Sequence, residues 1–163
     1  MIRWAGLGAG VLLACGLAAV RAPAQAPVIT LKQERQYAKL SAQAAKQHGH
    51  KQAQTLAKIA LLDYNFALAN FAANHNQYAL QDLSHATQHV DRACALLQAE
   101  TARGKTDGMK NVEMAVQQMV FGLKGLAQQV DYTVRPNVQA VRAHFANLDG
   151  KLLQWMFAPK PAR

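Results

Sequence analysis

An all-α bundle follows from two observations. Apolar residues recur alternately three and four positions apart in three separate stretches, and short turn-forming segments join those stretches. Leu80, Leu83, Thr87, Val90, Cys94 and Leu97 form one set. Met109, Val112, Val116, Met119, Leu123, Leu126 and Val130 form the second, and Val138, Val141, Phe145, Leu148, Leu152 and Trp155 the third. An α-helix brings residues three and four apart onto one face, so each set is an apolar seam that another helix must cover. Short connections between long helices make successive helices antiparallel. The expected fold is an up-and-down antiparallel bundle of four long helices with an N-terminal helix beside it, one domain over 25–157.

The chain opens with a segment that reads as an export signal. Arg3 precedes an uncharged run of 17 small and apolar residues over 4–20, and Ala22 and Ala24 offer the small side chains that signal peptidase reads. Residues 1–24 are expected to be cleaved and the mature protein to begin at Gln25, placing it in the periplasm or outside the cell. A competing reading takes Leu12-Leu13-Ala14-Cys15 as a lipoprotein box, with the protein anchored through a lipidated Cys15. Cleavage after Ala24 leaves 139 of the 163 residues, with 16 basic and 9 acidic side chains and a net charge of +7. That surplus suits contact with an anionic envelope surface, but the basic residues are scattered and no nucleic-acid site is expected.

Thr30, followed three residues later by Gln33, forms a capping box for a first helix over 31–48. Only Leu31, Tyr37 and Leu40 give it apolar weight among many Ala, Gln and Lys residues, so it should be peripheral. Gly49 either ends it or interrupts one longer helix. The second helix, 50–74, carries Leu56, Ile59, Leu62, Phe66 and Ala69 on one face, widened by Leu61, Tyr64, Leu68 and Phe71, and should be the most buried. Asn74-His75-Asn76 makes a turn into the third helix, 77–103, which Gly104 can close in the left-handed conformation. Thr106 or Asp107 is the expected cap of the fourth, 107–132, where Gly122 and Gly125 either admit a neighbouring helix or mark a bend. Pro136 suits the first turn of the fifth, 136–157, and the Pro-containing end, 158–163, is expected to be a flexible tail.

Within the second and third helices, Ala79, Leu83 and Ala86 repeat a small, large, small pattern, with the aromatic Phe71 upstream. The stretch over about 56–90 resembles a tetratricopeptide-repeat-type helical hairpin. That resemblance implies a protein-binding surface and no chemistry.

The chemistry-bearing residues are few. Cys94 lies on a seam without an intramolecular partner once Cys15 leaves with the signal, which fits a small buried hydrophobe. Met109, Met114 and Met119 read as core filler rather than as metal or haem ligands. Asp82, His85 and His89 fall on one stripe of the third helix, at the spacing by which two His residues grip one metal ion from a single face, with His75 nearby. This stripe lies off the apolar seam, so the competing expectation is a solvated polar face. No haem attachment motif, di-iron pair, phosphate loop or nucleophile elbow is present. The expected function is therefore non-enzymatic: a cofactor-free module that binds a protein partner or another copy of itself. The alternative is a small periplasmic bundle that binds zinc or copper through Asp82, His85 and His89.

Overall fold

The computed structural model describes residues 29–157; the export segment, Cys15 and the expected tail lie outside the described residues. Five helices follow one another: α1 (Leu31–Lys46), α2 (Gly49–Ala72), α3 (Asn76–Thr101), α4 (Met109–Gln129) and α5 (Arg135–Phe157). The protein is an all-α helical bundle. None of these helices is long and apolar enough to cross a membrane.

Local chemistry sets the helix ends. The Thr30 hydroxyl accepts from the Gln33 amide at 3.3 Å while Gln33 Oε1 accepts from the Thr30 amide at 2.9 Å, so the capping box opens α1. The corner into α2 is held by two side chains of the second helix. Gln52 donates to the Ala44 carbonyl at 3.0 Å, and the Thr55 hydroxyl donates to Gln47 Oε1 at 2.6 Å. The two helices are therefore separate, parted at Gln47 and His48, and Gly49 opens α2 with a left-handed φ of 58°. Asn74 takes the same region, with φ 59°, in the turn between α2 and α3. The cap of α4 differs from the expectation: it is Gly108, at φ 80°, and neither Thr106 nor Asp107. A side chain at Gly108 would lie 2.6 Å from Gln54 Nε2 and 3.2 Å from His50 Cβ. Close approach of α2, as well as backbone conformation, selects glycine there.

The most extensive packing is between α2 and α3. Alanine recurs every seventh residue on both: Ala53, Ala60 and Ala67 on α2, Ala79, Ala86 and Ala93 on α3, all with no exposed surface. Such small side chains let two antiparallel helices approach toward the lower end of the usual interaxial range, about 8–10 Å. On α4 and α5 the seams are larger. Val112, Val116, Met119 and Leu123 meet Val138, Phe145 and Leu152 in a core from which solvent is excluded. Met114, off the seam, is exposed. Burial pushes the Cys94 thiol up to about 12, so it stays protonated and fills space.

The two hairpins α2–α3 and α4–α5 stack as layers. Gly108 lies by His50 and Gln54, and Gly122 by Tyr64, so α2 and α4 run side by side in the same direction. Asp91 meets His144 at 2.7 Å, and further along Cys94 and Gln98 share a cleft with Leu148 and Trp155, so α3 and α5 are parallel as well. Successive helices alternate in direction, but lateral neighbours between the layers do not. With α3 and α4 on two sides of α2, α1 lies along a third.

The two glycines inside α4 have different reasons to exist. A Cβ at Gly122 would overlap the Tyr64 hydroxyl, whereas one at Gly125 would meet nothing within 4 Å. Glycine inside a helix costs about 1 kcal/mol relative to alanine. Gly125→Ala should therefore raise the melting temperature, and Gly122→Ala should lower it by displacing the buried Tyr64 ring. Thermal unfolding of the two variants, followed by circular dichroism, checks the opposite signs.

Candidate functional site

Two stripes that carry most of the polar side chains of these helices' facing sides lie opposite one another across the α2–α3 hairpin, with Phe66 the apolar member of the first. On α2, Asp63, Phe66 and Asn70 are three and four residues apart; on α3, Asp82, His85 and His89 repeat that spacing. The alanine packing sets an antiparallel register in which the stripes pair. Asn70 donates to Asp82 Oδ2 at 2.7 Å, and Asp63 Oδ2 lies 3.7 Å from His89 Nε2. From above, α1 adds Tyr37, whose hydroxyl hydrogen-bonds His89 Nε2 at 3.3 Å and whose ring stands 6.4 Å from that of Phe66 at 36°.

Between these helices is an open cleft of about 360 Å³. Its apolar wall comes from Ile29, Tyr37, Ala38 and Phe66, and its polar wall from Glu34, Asp63, Asp82 and His85. Among the described residues three carboxylates line it and no Lys or Arg does, although the full chain carries a net charge of +9.

Asp63 is the decisive residue. It is 2% exposed, and its Oδ2 makes no hydrogen bond to any of the described residues. Burial, with a smaller contribution from the Asp82 carboxylate, raises its pKa from the ordinary 3.8 to about 7. Asp82 is also raised by burial, against the Asn70 hydrogen bond and His85, which pull it down. Burial, aided by the charges of His85 and Arg92, holds His89 below its ordinary range, so at neutral pH it is an uncharged imidazole. Burial and the two aspartates push the Tyr37 phenol up. A carboxyl raised toward neutrality by burial at the wall of a cleft is a candidate functional group.

Asp82, His85 and His89 are half-buried under α1, so the stripe is not the solvated face that its position off the seam suggested. The structure places Asp82 and His85 on the cleft wall and turns His89 toward Asp63 and Tyr37. His75 lies in the α2–α3 turn with its ring edge-on to Tyr78. Among the described residues, no group of three His, Cys, Asp or Glu is placed to hold a metal ion. Sequence reasoning passed over Asp63, Asn70 and Tyr37. The available signal was Asp63 itself, a lone acid within the most apolar helix.

No family model, curated protein or solved structure matches the chain. The site is therefore read from its own geometry.

The raised pKa makes Asp63 a liability to stability with a definite pH window. The unfolded chain releases this proton near pH 4 and the folded protein holds it to about pH 7, so stability falls as pH rises through that interval and loses nothing further above it. The full effect is on the order of 4 kcal/mol. His89 acts in the opposite sense, withdrawing stability as the pH drops below about 6.5. Asp63→Asn should accordingly raise the melting temperature at pH 8, and by clearly less at pH 5. Melting curves of both proteins at the two pH values check it.

Proposed function

We propose that this protein is an exported, non-enzymatic helical module that docks a segment of a partner protein, or of a second copy of itself, in the cleft beneath α1. The observation that carries this reading is Asp63. A carboxylate taken out of water without a hydrogen-bond partner is costly, and it is held at the wall of a space open to a ligand. The lining has the composition of a binding site, apolar and aromatic surface with a few convergent polar groups.

The form of α1 supports the same reading. Only Ala44 of this helix is fully buried; Tyr37, Leu40 and Ser41 are half-buried, and Leu31 is 73% exposed. Isolated helices of this length are marginal in water, so α1 depends on what it packs against. A cover held by so few side chains can shift to admit a docked segment at little cost, while α2 to α5 retain their own core.

Ala38 is exposed at the rim of the cleft, and Ala143 is exposed on α5. A photo-reactive benzoylphenylalanine placed at Ala38 should give, in intact cells, discrete adducts that the same group at Ala143 does not give. Mass spectrometry of the adducts would identify the partner, a second copy included. Equal adducts from both positions would show that the cleft is not where partners dock.

A further inference from the structure

We propose that the cleft takes an organic cation, a primary ammonium or guanidinium group on an apolar stem, whose N–H donors meet the Asp63 carboxylate while its stem lies against Tyr37 and Phe66. This deepens the docking function above and rests on it, since a lysine or arginine side chain of the docked segment carries such a group; a free amine offers the same chemistry.

Three features point to this class. The first is charge: Glu34, Asp63 and Asp82 line the cleft without a Lys or Arg among them. The second is unmet hydrogen bonding. Asp63 Oδ2 lies 3.7 Å from His89 Nε2, too far for a hydrogen bond, and has no other partner, so it lacks the donor that an ammonium or guanidinium supplies. Pairing a buried carboxylate with a hydrogen-bonded cation offsets a desolvation cost that the empty site leaves uncompensated. The third is shape. Tyr37 and Phe66 present two aromatic rings on the wall, which suit an alkyl stem and attract a cation over their faces. A bare metal ion fits less well, because it would need three or more converging donors.

The groups facing Asp63 give binding a pH dependence. From α1 come Glu34 and Tyr37; from α3 come Asp82, His85 and His89. Below about pH 7 Asp63 is neutral and offers the cation no charge. Above that it is ionised and pairs with the cation directly, whereas below it a cation that binds must first displace the carboxyl proton. An alkylammonium remains charged throughout this range, so the pH dependence belongs to the protein.

Calorimetric titration of the full mature protein with n-butylammonium at pH 8 and pH 6 tests this, with n-butanol and tetramethylammonium as controls. The expected results are saturable binding of n-butylammonium, about tenfold weaker at pH 6 because Asp63 holds its proton there, and little binding of either control. Asp63→Asn should abolish binding while keeping its helical circular dichroism and a melting temperature at pH 8 no lower than that of the unmodified protein. Butanol binding as tightly as butylammonium, equal affinity at the two pH values, or undiminished binding by Asp63→Asn would each overturn the proposal.

A short alanine peptide with one central lysine, compared with the same peptide carrying norleucine, separates the two sources. Binding of the lysine peptide alone supports a docked basic side chain. Binding of butylammonium but of neither peptide leaves the cation site standing as one for a free amine and removes the docking reading. Equal binding of both peptides keeps docking and overturns the cation.

Discussion

The close approach of α2 and α3 is the constraint on which the rest of this structure depends. Six alanines without exposed surface, spaced by sevens on each helix, leave no side-chain bulk between the two backbones. Small side chains at these positions let the two backbones approach closely. One consequence is the pairing of Asn70 with Asp82 and of Asp63 with His89. Larger residues would hold the helices apart, and neither pair could form. A second consequence concerns α2, which meets α3 and α4 on two sides and α1 on a third, so Thr55 and Asp63 are buried although both are polar.

Asp63 shows what such burial means energetically. Its carboxyl lies at the bottom of the α1–α2–α3 cleft with another aspartate close enough to raise its pKa. A sequence optimised only for stability would place a neutral residue there. Natural sequences depart from local consistency chiefly where function requires it, so an uncompensated acid in the most apolar helix is read as functional. The two sides of the molecule differ accordingly. The α4–α5 seams are filled with Val, Leu, Met and Phe, whereas the α1–α2–α3 side keeps an open, acidic cleft under a thinly attached helix.

Most of the fold was legible because it is written locally. The seams on 80–97, 109–130 and 138–155 carry a helical period, and the Thr30–Gln33 box and the turn at Asn74 are short-range signals. What depended on separate helices meeting was not legible. The Gly108 cap owes its identity to Gln54 and His50, some fifty residues earlier, and the parallel placement of α2 on α4 has no local signature. The candidate site divides in the same way. Asp82, His85 and His89 were visible as a stripe because they share a helix. Asp63, Asn70 and Tyr37 join them only through the α2–α3 register and the docking of α1.

Asp63 is a buried carboxyl held near neutrality at the wall of the α1–α2–α3 cleft. Carbon-13 NMR titration of its side-chain carboxyl in the ligand-free protein tests this most directly, with Asp63→Asn supplying the assignment. The account predicts a titration midpoint near pH 7. A midpoint near pH 4, where an exposed aspartate titrates, would mean that the carboxyl reaches water or a donor the structure does not provide, and would contradict the account.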